Sequence, residues 1–281
     1  MAEAFGIVSG AAGIAAAFTS CVDCFQYVQV GRHFGRDFQT DLLSLNFARL
    51  RLTRWGQAVN VLGDPQLGRP DATPDELRAV KNSLLQILVL FTGTEKISKK
   101  YKLNAKAGDD LSILSAGDLE PAIVSLENKM KALAMKRQKR TSISKTASWA
   151  LYHRSELREL ITSITSLIDQ MENLFPAPQK QVALVREEIA EIQDSQALKY
   201  VEKAAEGVDD MLYQAAKEAR TGHQYLNVKI TNKAKGQTAD TYSSDWNGKA
   251  VGTSHSYNGV LVNDATALIG NTYGGKDFWE E

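Results

Sequence analysis

A short motif that occurs twice near the C-terminus limits the possible folds of this chain more than any other feature. Threonine, histidine, tyrosine and valine at positions 221, 223, 225 and 228 recur at 253, 255, 257 and 260, each 32 positions later. If one residue is skipped near Thr231, the match continues at a spacing of 31 as far as the Thr-Tyr pairs at 241–242 and 272–273. The chain therefore carries two copies of one unit, residues 221–242 and 253–273.

Each copy alternates apolar and polar residues and has Gly and Asn at intervals, which predicts one coil of short β-strands and turns. A single coil cannot bury its own apolar face, and repeat arrays generally need about three or more units. With only two copies, stacking on other molecules in a cross-β fibril would cover the remaining strand edges. The alternative is a disordered tail, which also describes the free monomer.

The charges of the two copies favour such a stack. Two alternating coils would place Lys233 above and below Asp264, whereas a single repeated coil would place Lys233 against itself. Aromatic residues beside the glycine pair at 274–275 could fold back over the apolar coil, namely Tyr273, Phe278 and Trp279. The residues expected in the fibril core are Val228, Ile230, Lys233, Ala234, Val260, Val262, Asp264, Ala265, Leu268, Ile269, Gly270 and Asn271.

The rest of the chain has a helical pattern. All six prolines lie before residue 221, at breaks between apolar stripes, so we place the domain boundary near Arg220–Thr221. Helical spacing predicts helices over about 37–62, from a capping box at Thr73, from Asp118, over 157–174, over 182–192 and over about 195–218. Because each stripe has a charged opposite face, residues 1–220 are predicted to form one all-α helical bundle.

The first segment, residues 4–22, contains no charged side chain. As a helix it would be about 28 Å long, close to the roughly 30 Å core of a bilayer, and it contains a Gly6–Gly10 GxxxG motif. Three interpretations remain: a secretory signal, a helix buried permanently in the bundle, or a segment that inserts into a membrane when released. The candidate insertion residues are Phe5, Gly6, Ile7, Val8, Gly10, Gly13, Ile14 and Phe18.

Composition argues against several classes of function. The chain has 33 basic and 33 acidic residues, so it has no bulk positive field for nucleic acid. Its only two cysteines, Cys21 and Cys24, indicate a reducing compartment and predict a cytoplasmic protein. The CxxC spacing, the four histidines and a GxxxxGK run at 270–276 lack the partners of a metal, redox or nucleotide site. We therefore predict no catalytic, cofactor or metal residues, and no enzymatic activity. The basic run 136–140 is predicted to be a solvated helix end, a contact for anionic lipid head groups or a nuclear signal.

These features together resemble the fungal HET-s/HET-S family, in which a HeLo domain precedes a prion-forming region. The resemblance spans the whole chain and is most specific at its two ends. The segments that carry it are Glu3–Val8, Cys21–Phe25, Gly31–Asp37, Arg54–Gly56, Lys145–Tyr152, Leu268–Asn271 and Tyr273–Trp279.

The resemblance implies a two-part device. The tail, disordered as a monomer, would form a β-solenoid amyloid with two coils per molecule, templated by like fibrils or by an NLR-like receptor with a similar motif. Assembly would destabilise the HeLo bundle, release the N-terminal segment and permeabilise the cell membrane, giving cell death in heterokaryon incompatibility. The expected partners are thus copies of the chain, homologous prion forms, such a receptor and membrane lipid, with a homodimer of the bundle left open. The competing hypothesis is a soluble helical interaction module with a disordered tail that binds partners without amyloid or membrane activity.

Overall fold

A computed structural model describes residues 13–31, 38–138, 148–192 and 194–221, together with eight short strands between 224 and 273. The chain divides into two compact units, Met1–Ala216 and Lys217–Glu281.

The described part of the first unit is a bundle of α-helices, as the apolar periodicity predicted. The α-helices of the described chain are α1 (Ile14–Cys24), α2 (Phe38–Ala58), α3 (Pro74–Asn104), α4 (Pro121–Arg137), α5 (Arg154–Leu174), α6 (Pro178–Ala190), α7 (Ser195–Ala205) and α8 (Asp210–Thr221). Helix α2 is central, because it packs against α1, α4, α5, α6 and α7. Helix α3 packs against α1 and α5, so a single apolar core extends through the bundle.

The capping box predicted at the start of α3 is present. The backbone N–H of Glu76 donates to Oγ1 of Thr73 at 3.2 Å, and the Thr73 N–H donates to the Glu76 carboxylate at 2.8 Å. Proline at position 74 supplies the first helical residue, where no donor is needed. These contacts fix the start of a helix that continues for 31 residues.

Three predicted helix boundaries were wrong. Helix α4 begins at Pro121, because Asp118 ends a 3-10 turn (Ala116–Asp118) and accepts from the Ser115 N–H at 2.9 Å. Helix α2 ends at Ala58, before Asn60 adopts φ 55°. The helix predicted over 195–218 is two helices, α7 and α8, and Gly207 lies between them with φ 69°. A left-handed residue of this kind ends a helix, and glycine adopts it without strain.

The bundle also contains a parallel pair of strands that the sequence did not predict. Strand β1 (Val28–Val30) pairs with β2 (Trp149–Leu151), with Val28 opposite Trp149. The Ser98 hydroxyl of α3 donates to the Ala150 carbonyl at 2.5 Å. Strands of three residues are too short to show an alternating pattern, so only the fold reveals them.

The described strands of the C-terminal unit form four parallel pairs. They are β3 (Gln224–Leu226), β4 (Lys229–Thr231), β5 (Gly236–Gln237), β6 (Thr241–Tyr242), β7 (Ser256–Asn258), β8 (Leu261–Asn263), β9 (Ala267–Leu268) and β10 (Thr272–Tyr273). Each strand of the first copy pairs with its counterpart in the second. The register is 32 residues for β3–β7 and β4–β8 and 31 residues for β5–β9 and β6–β10, the same two spacings as the sequence repeat.

Candidate functional site

The described part of the predicted insertion segment is the beginning of α1, and this helix is part of the bundle core. Phe18, Cys21 and Val22 are all buried. The Cys21 thiol donates to the Leu84 carbonyl of α3 at 3.0 Å. Beyond the helix, the Phe25 ring meets the Phe91 ring edge-on at 5.0 Å between centroids. Helix α1 therefore cannot leave the bundle without exposing apolar surface to water.

The Phe18 ring of α1 packs directly against the backbone of α2 at Gly56. A Cβ atom at this position would lie 2.4 Å from Cε2 and Cζ of the Phe18 ring and 3.1 Å from Cγ1 of Val61. Because real Cβ atoms do not approach so closely, the buried Phe18 ring can lie against α2 only where that helix has no side chain. Gly56 is thus the position on α2 that receives α1.

A buried ionic cluster forms around Arg54, two residues before Gly56 on α2, and we call it the Arg54 cluster: Arg54, Arg137, Glu188 and Asp209. The Arg54 guanidinium donates to Glu188 Oε2 at 2.7 Å and to Asp209 Oδ1 at 2.5 Å. Arg137 of α4 donates to the other Glu188 oxygen at 2.5 Å. The side chains of Arg54, Glu188 and Asp209 are at most 1 % exposed. The cluster joins α2, α4, α6 and the turn between α7 and α8.

The charges of the cluster balance, with two arginines against two carboxylates. Burial disfavours the Arg54 cation, but the carboxylates of Asp209 and Glu188 outweigh burial and raise the pKa of Arg54. Burial raises the pKa of Glu188, and the charges of Arg54 and Arg137 offset this only in part. Removing one partner from a buried ion pair leaves an uncompensated charge and typically costs about 3–5 kcal/mol.

The turn between α7 and α8 makes two further contacts that strengthen this connection. Asp209 Oδ1 also accepts from the Leu212 N–H at 3.2 Å, at the start of α8. Arg51, one turn before Arg54, donates to the Val208 carbonyl at 2.8 Å and to the carboxylates of Asp169 and Glu172, both at 2.5 Å. Helix α8 ends at Thr221, the first residue of the first repeat copy. Helix α2 therefore contacts both α1 and the turn between α7 and α8, and α8 leads from that turn into the first repeat copy.

A second charged residue of α2 is buried near the end of α1. Arg49 is 2 % exposed, and burial lowers its pKa to about 10, although the charge of Asp23 on α1 acts in the opposite direction. The Gln138 amide donates to Asp23 at 3.4 Å. The end of α1 is thus polar as well as apolar in its contacts with the bundle.

The predicted site residues are only partly within the described chain. Gly13 precedes α1, Ile14 is partly buried against the core and Phe18 is buried. Ile230, Val262, Leu268 and Tyr273 lie in β4, β8, β9 and β10. Outside the described residues lie Phe5, Gly6, Ile7, Val8, Gly10, Val228, Lys233, Ala234, Val260, Asp264, Ala265, Ile269, Gly270, Asn271, Phe278 and Trp279.

The described residues contain neither a membrane-spanning helix nor a metal site. None of the described helices combines the length and the apolar character that crossing a bilayer requires. Within the same residues, no group of three or more His, Cys, Asp or Glu side chains is arranged to hold a metal ion. We call the contact between α1 and the rest of the bundle the α1 seam. Cys21 and Cys24 of α1 form no disulfide and are buried there.

The sequence did not identify the Arg54 cluster. Its hydrogen-bonded pairs are separated by 51 to 155 positions, so neither periodicity nor motif spacing brings them together. Arg54 belonged to the Arg54–Gly56 segment, which carried part of the family resemblance without an assigned role. Arg137 belonged to the basic run 136–140, and the prediction of a solvated run was wrong for this residue, because its side chain is 5% exposed and pairs with Glu188.

Comparison with known proteins gives consistent matches. The HeLo family model, described as "Prion-inhibition and propagation", matches residues 6–201. Heterokaryon incompatibility protein s of Podospora anserina is 34% identical over 295 residues, and heterokaryon incompatibility protein S of the same fungus is 34% identical over 289. Both matches cover 100% of this chain and of the relative.

Two solved structures have the same helical fold. A mutant of the HET-s N-terminal domain superimposes with a TM-score of 0.69 at 35% identity, covering 74% of this chain and 98% of that one. The HET-S N-terminal domain superimposes with a TM-score of 0.71 at 37% identity, covering 77% of this chain and 97% of that one.

Proposed function

This chain belongs to the HET-s/HET-S family of heterokaryon incompatibility proteins, and we propose that it kills the cell by coupling prion assembly to membrane permeabilisation. In this proposal the C-terminal repeats form an amyloid on a template, which is a like fibril or a receptor with a similar motif. Assembly opens the helical bundle, and the N-terminal segment enters the cell membrane. No enzymatic step is involved.

The register of the strand pairs supports the amyloid part of this proposal. Corresponding strands of the two copies pair in parallel at spacings of 32 and then 31 residues. A parallel pair presents the same strand sequence to a further copy above and below, which is the geometry of cross-β stacking. Two coils per molecule leave both outer edges unpaired, so growth by addition of further copies satisfies their backbone groups.

The observation that carries the coupling is the bond between Arg54 and Asp209. Thr221 ends α8 and also begins the first copy, so extending the repeat coil pulls on α8. Loss of α8 breaks the hydrogen bond between the Leu212 N–H and Asp209, so the turn that carries Asp209 can move away from α2. Arg54 would then be a buried cation without one of its two carboxylates, a state that strongly destabilises the helix that carries it.

Helix α2 transmits this loss to α1. Gly56 is two residues from Arg54, and the Phe18 ring lies against it. A shift of α2 therefore opens its contact with α1, the helix that contains residues 14–22 of the uncharged segment 4–22. The total stability of a domain is only about 5–15 kcal/mol, so a fibril that gains several kcal/mol per added molecule can supply the required energy.

The released segment is suited to conditional insertion. It is rich in Ala and Gly, with Phe5, Ile7, Val8, Ile14 and Phe18 as its strong apolar residues. Such a segment is marginal for a bilayer, which suits a protein that stays in the cytoplasm until activation and moves to the membrane afterwards.

Seeding tests the proposal. Short fibrils of residues 221–281 are added to the full-length protein in the presence of dye-loaded vesicles, while near-UV circular dichroism monitors the buried Trp55 and Trp149. We expect the tertiary signal to be lost and the dye to be released together. The matched control lacks residues 2–12 and keeps all of α1, so it should lose its tertiary signal without releasing dye. Fibrils that leave the bundle as ordered as in the monomer would contradict the proposal and favour a helical interaction module.

A further inference from the structure

The outer face of α3 combines exposed apolar residues with lysines. Positions 89, 93, 96, 100 and 103 follow a 4-3-4-3 spacing and share one face of the helix. On it, Val89 is 65% exposed and Leu103 is 85% exposed. Lys96 and Lys100 lie between them and are exposed. The opposite face, with residues such as Leu84, Ile87 and Phe91, is buried in the core.

The end of α3 carries a strong local charge in a chain whose net charge is zero. Residues 93–106 contain five lysines, at 96, 99, 100, 102 and 106, and one acidic residue, Glu95. Glu95 pairs with Lys99 at 2.5 Å, and the Lys102 ammonium lies 5.8 Å from the centre of the Tyr152 ring. Lys96, Lys100 and Lys106 are exposed, and their ammonium groups form no ion pair within the described part of the chain. Lys106 lies in the turn after α3, where its backbone N–H donates to the Asp109 carboxylate at 2.7 Å. We call these three lysines with Leu103 the lysine face.

We propose that the lysine face is a docking surface for a bilayer with anionic head groups. An apolar side chain surrounded by lysines on one face of a helix is the pattern of a helix that lies at a membrane interface. The lysines pair with anionic phosphates while their methylene stems stay in the apolar boundary, and Leu103 enters it. Each lysine near an anionic surface contributes to binding, and the contribution falls off within a Debye length.

A bilayer fits this surface better than nucleic acid does. The lysine face consists of Lys96, Lys100 and Leu103 on the exterior of α3 and of Lys106 in the turn that follows, and Leu103 is its most exposed apolar side chain. A phosphate backbone offers no apolar surface for that side chain, whereas the acyl boundary of a bilayer does.

This inference rests on the proposed function and adds the place where the intact bundle meets the membrane. The buried face of α3 contacts α1, through Leu84 and the Cys21 thiol. From Leu84 to Lys96 the distance along the helix is about 18 Å, at 1.5 Å per residue. Docking through the lysine face therefore holds α1 close to the bilayer before release, so that the freed segment meets lipid first.

The test measures co-sedimentation of freshly prepared full-length protein, without seeds, with phosphatidylcholine vesicles that contain either no anionic lipid or about 30 mol% phosphatidylserine. The test variant carries Lys96→Glu, Lys100→Glu and Lys106→Glu. The matched control has the same change of charge at exposed lysines of α6 and α7, Lys180→Glu, Lys199→Glu and Lys203→Glu. A second test variant, Leu103→Ser, keeps the charge. Circular dichroism establishes that all variants are folded.

We expect wild type and control to bind the anionic vesicles, and the test variant to bind at least about a hundredfold more weakly. Leu103→Ser should bind several-fold more weakly, and none should bind neutral vesicles. Equal binding by test and control variants, or failure of wild type to bind, would overturn the docking surface. So would tighter binding of wild type to duplex DNA at the same salt concentration. Failure of the proposed function has a separate signature, since bound wild-type protein would then release no dye after seeding.

Discussion

The Phe18 ring of α1 occupies the space that a side chain at position 56 of α2 would need. A Cβ at Gly56 would be 2.4 Å from two carbons of that ring, and the ring is 2 % exposed. The packing of α1 against α2 therefore requires glycine at position 56, because the methyl group of an alanine would overlap the Phe18 ring. This makes the seam sensitive to a very small change in sequence.

Gly56→Ala should loosen the seam. The new methyl group forces the buried ring to move, and overpacking of this kind costs about 1–3 kcal/mol, more than the gain from replacing glycine within a helix. Urea unfolding of the full-length protein measures the change. Gly93→Ala is the matched control, since a Cβ there would meet no atom within 4 Å and the substitution should stabilise α3 by about 0.5–1 kcal/mol.

The pair of residues can be tested by compensation. In a Phe18→Leu background, the side chain no longer reaches the position of Cζ, so Gly56→Ala should cost clearly less than in wild type. If Gly56→Ala costs the same in both backgrounds, the contact between α1 and α2 is not the source of the effect.

The Arg54 cluster gives the largest expected effect. Arg54→Met should lower the free energy of unfolding by about 3–5 kcal/mol, because Asp209 loses its buried partner. Adding Asp209→Asn should recover part of this loss, since it removes the stranded charge, and a double-mutant cycle from urea unfolding isolates the coupling. Arg78→Met is the control, because the Arg78–Asp75 pair is 70% and 81% exposed and such pairs contribute about 0–1 kcal/mol.

The same variants bear on function. Arg54→Met should need fewer seeds than wild type to lose its tertiary signal. Its free energy of unfolding is lower, so less energy from fibril growth is required to open the bundle. An additive cycle, in which the two substitutions act independently, would show that Arg54 and Asp209 do not stabilise the bundle as a pair.

The sequence predicted the helical architecture because amphipathic stripes are local. The stripe over 157–174 became α5 almost residue for residue, and the Thr73 capping box became the start of α3. The break at Gly207 was missed because a single glycine is tolerated within a helical pattern, and its left-handed φ is not visible in the sequence. The Arg54 cluster was missed because its members meet only after α2, α4, α6 and the turn between α7 and α8 have packed together. Contacts between distant charged residues leave no periodic signal, whereas repeated copies do.

Thiol labelling tests the proposed release of α1 without any substitution. The chain has two cysteines, Cys21 and Cys24, and both are buried in the α1 seam. We expect a maleimide reagent to modify neither thiol in the soluble protein and both after fibril seeds are added, with the same time course as dye release. Unfolding in urea provides the control for full reactivity. Thiols that remain protected while the tail converts to fibrils would show that α1 stays in the bundle.

The burial of Cys24 also predicts a loss of stability at alkaline pH. Burial, with smaller contributions from the charges of Asp23 and Glu95, raises the pKa of the Cys24 thiol above its ordinary value of 9.0. The unfolded chain releases this proton first, so the contribution is complete below about pH 8.5 and falls by about 1.4 kcal/mol per pH unit above it. Between about pH 8 and 10, the free energy of unfolding measured with urea should fall less steeply with pH in Cys24→Ala than in wild type, by this amount. Parallel pH profiles for the two proteins would contradict the prediction.

The charge pattern of the repeats predicts the outcome of a swap. The pairs Thr231–Asn263 and Gly236–Ala267 flank the positions of Lys233 and Asp264, and the sequence match aligns those two residues. Lys233→Asp alone would place like charges against each other above and below each coil, at a cost of about 1–2 kcal/mol per molecule, which raises the monomer concentration left at equilibrium about five- to thirtyfold. The double variant Lys233→Asp with Asp264→Lys restores opposite charges and should assemble as wild type does. Thioflavin T fluorescence follows elongation, and sedimentation measures the remaining monomer. A double variant that assembles as poorly as the single one would rule out alternation of the two coils.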